Sequence, residues 1–198
     1  MSWIRDLLVT PECLGCSLLG TGLCPECQKE LRSFTSKSVG MSVLCVSEYD
    51  GWLRERLIDF KNGAAHLARP LAQLMSPFIP GDAIVVPIPT TQQKIRSRKF
   101  DTIGLLGQEL ARLESGRRFL PVLKLARPVR DQVGLSEAAR RTNLAHALTA
   151  THNIAHSVFV IDDVLTTGAT LGEAQRALVI AGARQVSAAV LCGSPKRR

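Results

Sequence analysis

The chain has 198 residues, enough for one ordinary domain plus a small appendage, and its 45% hydrophobic content can build a real core. A formal net charge of +8 favours an anionic partner, while only 5% aromatic residues argue against a long base-stacking platform. No apolar run reaches the ~18 residues of a membrane span, and Arg5 and Asp6 interrupt the N-terminus before a signal-peptide core can form, so a soluble cytoplasmic protein without membrane insertion is expected.

The first chemistry-bearing segment is "CLGCSLLGTGLCPEC". Cys13-x2-Cys16 and Cys24-x2-Cys27 are separated by seven residues. Each Cys-x2-Cys knuckle lets two thiolates reach one ion, and two knuckles complete a tetrahedral zinc shell. Two disulfides or chance spacing are the alternatives, and a reducing compartment disfavours the first. A closed four-cysteine shell has no open position, so the zinc is expected to be structural. The expected division is a zinc module over 1–40 and an α/β domain over 41–198. Cys45 and Cys192 lie in apolar contexts and read as buried small hydrophobes.

A short strand around "LCVSE" precedes a turn at Asp50-Gly51 and a helix carrying Leu53, Leu57 and Phe60 at helical spacing. Lys61-Asn62-Gly63 should end that helix, with Gly63 just past its C-terminus. Lys61 reads equally as a partner of the helix dipole or as a ligand-binding cation. A second helix is expected from about Ala64 to Met75. "AIVVPIPTTQQKIRSRKF" reads as a buried strand followed by a polar, basic loop, and an amphipathic helix follows. Residues 124–143 look like a long basic loop that ends in a helix near "SEAARRTN". "RQVSAAVLCG" is a further apolar strand. Strands alternating with helices argue for a parallel α/β sheet, whose ligands sit at the carboxyl ends of the strands.

Positive charge concentrates in residues 91–142, with 12 Lys and Arg against 5 Asp and Glu, a net of +7. The C-terminal "PKRR" adds more. Such a stretch is either a solvated face or a phosphate-tracking surface for single-stranded DNA.

"VFVIDDVLTTGAT", residues 158–170, is the most informative segment. Val158–Ile161 form an apolar strand that should end at Asp162 and Asp163. Leu171, Ala174, Leu178 and Ala181 then recur at helical spacing. Thr166–Thr170 would thus occupy a turn at a helix N-terminus, where outward N–H groups and the helix dipole favour a phosphate. Neither G-x-x-x-x-G-K-[ST] nor G-x-G-x-x-G is present. The paired carboxylates suit a vicinal diol, or help to hold Mg²⁺. Phosphate plus vicinal diol spells ribose 5-phosphate.

This segment resembles the phosphoribosyl pyrophosphate signature of type I phosphoribosyltransferases. With the cysteine pairs, "YDGWLRERLIDFKNGA", "VPIPTTQQKIRSRKF" and "QVGLSEAARRTNLAHAL", it resembles the ComF family, named for a competence protein of DNA uptake. The resemblance implies the parallel-sheet fold of type I phosphoribosyltransferases. It implies that Asp162 and Asp163 contact the ribose hydroxyls, and that Thr166, Thr167, Gly168, Ala169 and Thr170 hold the 5-phosphate. Thr90 and Thr91 would lie near the pyrophosphate, Arg140 and Asn143 match an R-x-x-N signature, and Lys61 matches a lysine before glycine. Where the family usually reads Arg-Gly-Phe-Asn, this chain has Arg98-Lys99-Phe100-Asp101.

Three functional readings follow. The chain could be a transferase displacing pyrophosphate with Mg²⁺, a DNA-handling protein that keeps phosphoribosyl pyrophosphate binding, or a ligand sensor. Fold alone does not decide among them. The second is expected, acting in DNA uptake with single-stranded DNA and uptake-machinery proteins as partners. No catalytic nucleophile is identifiable.

Overall fold

The computed structural model describes residues 12–38, 40–129 and 137–194, with the side chains of 137, 138, 140 and 141 outside that description. The "PKRR" tail, most of "QVGLSE" and the Arg140 side chain therefore lie outside the described residues.

The chain is an α/β fold with a mostly parallel six-stranded sheet in the order β1-β2-β8-β7-β3-β4. The strands are β1 (Phe34–Ser38), β2 (Met41–Glu48), β3 (Ile84–Pro87), β4 (Arg118–Phe119), β7 (Ser157–Leu165) and β8 (Gln185–Gly193). β1 and β2 form an antiparallel hairpin at one edge. Every other pairing in this sheet is parallel. A separate antiparallel pair, β5 (Leu123–Leu125) and β6 (Leu148–Ala150), stands beside it.

Helices cover both faces, as a parallel sheet of near-continuous apolar strands requires. On one face pack α2 (Gly51–Lys61), α3 (Ala68–Met75) and α5 (Thr102–Leu113), burying Leu53, Leu57, Phe60, Leu71, Met75, Leu106 and Leu110. Cys13, Cys24 and Cys27 and the short helix α1 (Pro25–Glu30) join this core. On the other face α7 (Ala169–Ile180) buries Leu171, Ala174 and Leu178 beside the β5–β6 pair. Gly107 lets α5 lie close against the sheet: a Cβ there would come within 2.7 Å of the Phe119 ring and 3.0 Å of Ile161.

Three local expectations need correction. The helix expected over 64–75 is a 3-10 turn at Ala65–Leu67 and then α3. Pro70 explains the break, because its ring cannot sit against the carbonyl of His66 in a continuous α-helix. The basic loop after "PIPTT" contains a helix, α4 (Gln92–Arg98), capped by Thr91 Oγ1, which accepts from the Lys94 amide at 3.4 Å. β7 does not end at the aspartates. It runs on through them, paired with β8 as far as Leu165 opposite Gly193. Backbone pairing with a neighbouring strand is indifferent to the polarity of those side chains. The helix near "SEAARRTN" is present as α6 (Glu137–Leu144), and Gly63 follows α2 with φ of 117°.

Candidate functional site

The carboxyl ends of β3, β7 and β8 open into a cleft of about 440 Å³. Its floor and one wall come from the β7–α7 connection. Asp162, Asp163, Val164, Leu165, Thr166 and Thr170 line it. Successive strand residues point to opposite faces, so the two carboxylates leave β7 in different directions although both reach the cleft.

Each aspartate has its own partner. Asp163 Oδ2 lies 2.9 Å from Lys61 Nζ, which arrives from the C-terminal end of α2. The lysine is thus an ion-pair partner inside the cleft and also a last-turn cation of its helix. Asp162 Oδ1 accepts from the Asp163 amide at 2.9 Å. Burial, and then the neighbouring Asp163 charge, raise the Asp162 carboxyl from an ordinary 3.8 to about 7; its bond to the amide and the charges of Lys61 and Lys94 oppose this only in part. Near neutral pH the Asp162 carboxyl is therefore only partly ionised, and the charges of Lys61 and Lys94 face it.

The turn after β7 has the expected form. Gly168 takes φ of 78°, and α7 starts at Ala169. That left-handed geometry is cheap only for glycine. The space is taken as well, because a Cβ at 168 would collide with the Ser38 hydroxyl of β1. Thr167 Oγ1 accepts from the Ala169 amide at 3.3 Å, which uses one of the free N–H groups of the helix start.

The opposite wall comes from the β3–α4 connection. Ile88, Pro89, Thr90, Thr91, Lys94 and Arg98 line it. Thr90 Oγ1 donates to Asp101 Oδ1 at 2.7 Å, and Arg98 donates to Thr102 Oγ1 at 3.1 Å. The roof is aliphatic: Leu125, Val129, Leu144 and Leu148. It is moored to α7 through Glu173, whose Oε1 accepts from the Leu148 amide at 3.0 Å, and Arg176, which donates to the Leu148 carbonyl at 2.9 Å.

Seven of the residues singled out from sequence thus line one cleft: Lys61, Thr90, Thr91, Asp162, Asp163, Thr166 and Thr170. Thr167, Gly168, Ala169 and Asn143 do not line it. Gly168 and Ala169 are buried beneath the turn, and the Asn143 carbonyl accepts from Arg127 at 3.0 Å. Sequence reasoning missed Tyr49, Lys94, Arg98, Ser194 and the aliphatic roof. Lys94 was missed because the helix that carries it, α4, was read as a loop. The roof was missed because it gathers residues from β5, the segment after it, α6 and β6.

The four N-terminal cysteines form a second cluster. The ligand sulfurs of Cys13, Cys16, Cys24 and Cys27 all lie within 4.8 Å of one another, three of them buried. The Cys24 amide donates to Cys13 Sγ at 3.3 Å and the Cys27 amide to Cys24 Sγ at 3.5 Å. Such N–H···S bonds favour thiolates, and tetrahedral zinc–sulfur bonds of about 2.3 Å fit sulfurs this close. The donor set could hold a metal ion. Trp52 of α2 donates to the Cys27 carbonyl at 3.2 Å, which ties the cluster to the main core. Cys45 and Cys192 are fully buried, and burial pushes both thiols up to about 12.

Residues 120–198 match the family described as phosphoribosyl transferase domain. That span contains β7, the acidic pair and the turn into α7. A search of curated protein sequences finds no match. Among solved structures, the chain is similar to a crystal structure of a hypoxanthine phosphoribosyltransferase from Staphylococcus aureus, with a TM-score of 0.36 and 14% sequence identity. The match covers 68% of this chain and 65% of that protein, just under two thirds of its length. Among the described residues no helix is long and apolar enough to cross a membrane.

Proposed function

We propose that the cleft binds phosphoribosyl pyrophosphate. The observation that carries this reading is the meeting of Asp162, Asp163, Thr166 and Thr170 with Thr90, Thr91, Lys61 and Lys94 around one cavity. In this reading the two aspartates take the ribose hydroxyls. The turn of Thr166, Thr167, Gly168, Ala169 and Thr170 takes the 5-phosphate, as donors at a helix N-terminus suit it. Thr90, Thr91 and the lysines face the pyrophosphate. Arg140 and Asn143 belong to the proposal through the family signature alone. Mg²⁺ would accompany the ligand, because carboxylate and phosphate oxygens suit a hard cation.

The wider role we propose is ComF-like, in DNA uptake, with single-stranded DNA as a further ligand and uptake-machinery proteins as partners. Its support is the exposed cations on and just after α4, Lys94, Arg96 and Lys99, of which Lys94 lines the cleft, together with exposed Lys124 and Arg127. A second reading is active transfer of the phosphoribosyl group to an unknown nucleophile with pyrophosphate release. The aliphatic roof favours it, since it offers an acceptor a dry wall next to the carboxylates.

We also assign the cysteine cluster to a structural zinc, within a module of residues 1–40 that precedes a domain of 41–198. Metal analysis should find one equivalent, and Cys24→Ser should lower both metal content and Tm. Phosphorus NMR tests the main proposal. Phosphoribosyl pyrophosphate with Mg²⁺ should shift and broaden on adding protein. Pyrophosphate appearing with time would favour the transferase reading, and spectra unchanged at stoichiometric protein would rule out both.

A further inference from the structure

Thr90 has one hydroxyl proton, and Asp101 takes it. The Thr90 Oγ1 to Asp101 Oδ1 bond is 2.7 Å, short enough to be charge-assisted, and a carboxylate can only accept. The Asp101 carboxylate lies between Thr90 and the first turn of α5. Its other oxygen lies over Gly104, where even a Cβ would collide with it. On the approach side, Lys99 takes φ of 69° at the end of α4, which turns the chain so that Asp101 lies beside Thr90 and starts α5. Thr90 lines the cleft, whereas Asp101 does not.

We infer that Asp101 is a specificity-setting residue. By taking the Thr90 proton, it makes this hydroxyl an acceptor toward the cleft, so that the wall does not welcome a bare polyphosphate. An anion reaching Thr90 meets lone pairs, with a carboxylate directly behind them. The wall instead suits an anion whose charge is covered by a cation, or a ligand that donates a hydrogen bond there. Asn at 101 would reverse this. Its amide can donate to Thr90 Oγ1, which frees the threonine proton for an anion and removes a negative charge.

The inference deepens the proposed reading of the cleft, and it is tested with inorganic pyrophosphate, which bypasses that reading. Calorimetry without divalent metal compares the wild type, Asp101→Asn, Asp101→Ala and the double variant Asp101→Asn with Thr90→Val. Asp101→Asn should bind pyrophosphate about ten- to a hundredfold more tightly than the wild type, the range expected when one hydrogen bond to a charged group is gained. Asp101→Ala should also gain, because the threonine proton is freed. Thr90→Val in the Asp101→Asn background should remove at least half of that gain. Magnesium should narrow the difference between wild type and Asp101→Asn. A merely structural role for Asp101 predicts weaker binding and a lower Tm in both single variants. Equal or weaker pyrophosphate binding by folded Asp101→Asn and Asp101→Ala overturns the inference, as does an undiminished gain in the double variant or no binding by any of the four at millimolar ligand. Ribose 5-phosphate, titrated in parallel, reports on the other wall. Its failure to bind the wild type would count against the phosphoribosyl reading and leave the Asp101 comparison standing.

Discussion

The two walls of the cleft are built differently. The β7–α7 wall is one continuous stretch in which strand, acidic pair, turn and helix follow each other within thirteen residues. The β3–α4–α5 wall is assembled by side chains that reach across several residues of the chain, Asp101 back to Thr90 and Arg98 forward to Thr102. The first wall presents backbone N–H groups and two carboxylates whose placement depends on main-chain geometry. The second presents cations and hydroxyls, and one hydrogen bond fixes which way the Thr90 hydroxyl points. Damage to the first should therefore appear as lost fold or lost affinity, and damage to the second as altered selectivity.

The largest effect should come from Gly168→Val. It forces a β-branched residue into φ of 78° and into the Ser38 hydroxyl, so that both the turn and the β1 edge must move. Strain of this kind costs on the order of 1–3 kcal/mol before the steric clash is counted. Thermal denaturation should show a Tm lower by several degrees, with ribose 5-phosphate binding abolished. A variant as stable as the wild type would mean that the turn is not rigid.

Asp163→Asn comes next. It removes the charge that pairs with Lys61 and would strengthen a bond to a ribose hydroxyl. A hydrogen bond to a charged group contributes roughly 1.5–3 kcal/mol, so phosphoribosyl pyrophosphate affinity should fall about ten- to a hundredfold by calorimetry. Retained affinity would assign the Lys61–Asp163 pair to structure alone.

Asp162→Asn should stabilise the protein, and the gain should depend on pH. The folded state raises this carboxyl to about 7, so it binds the proton more tightly than the unfolded chain does. Stability then falls as pH rises from about 4 to 7 and levels off above. The amide does not ionise and escapes that loss. Its Tm should exceed that of the wild type at pH 8, and the difference should shrink at pH 5. A gain of equal size at both values would contradict the assigned cause.

The smallest effect belongs to the exposed cations of the second wall. Lys94→Ala should weaken single-stranded DNA binding a few-fold and reduce the log–log salt slope by about 0.7, the share of one phosphate contact. An unchanged slope would remove Lys94 from any phosphate-tracking surface.

The same difference in construction decided what the sequence could reveal. The acidic pair and the Thr-Gly turn were legible because their chemistry is contiguous and their spacing follows the period of strand and helix. The cysteine cluster was legible for a similar reason, as Cys-x2-Cys is a local device. α4 was not, because Gln92–Arg98 contains a single apolar residue, Ile95, and its short helix rests on the Thr91 cap. The Thr90–Asp101 bond spans eleven positions and depends on a left-handed Lys99, where a lysine gives no warning of such a turn. The extension of β7 past Asp163 was hidden because strand length there is set by pairing with β8. Pro70 was the visible sign of the broken helix, although its effect falls four residues upstream.

Calorimetric titration of phosphoribosyl pyrophosphate into the wild-type protein with Mg²⁺ is the decisive measurement for the proposal that both walls close on one phosphoribosyl ligand. It should show saturable one-site binding that ribose 5-phosphate displaces competitively and that Asp163→Asn weakens at least tenfold. No saturable heat, or binding that ribose 5-phosphate leaves untouched, would overturn the proposal.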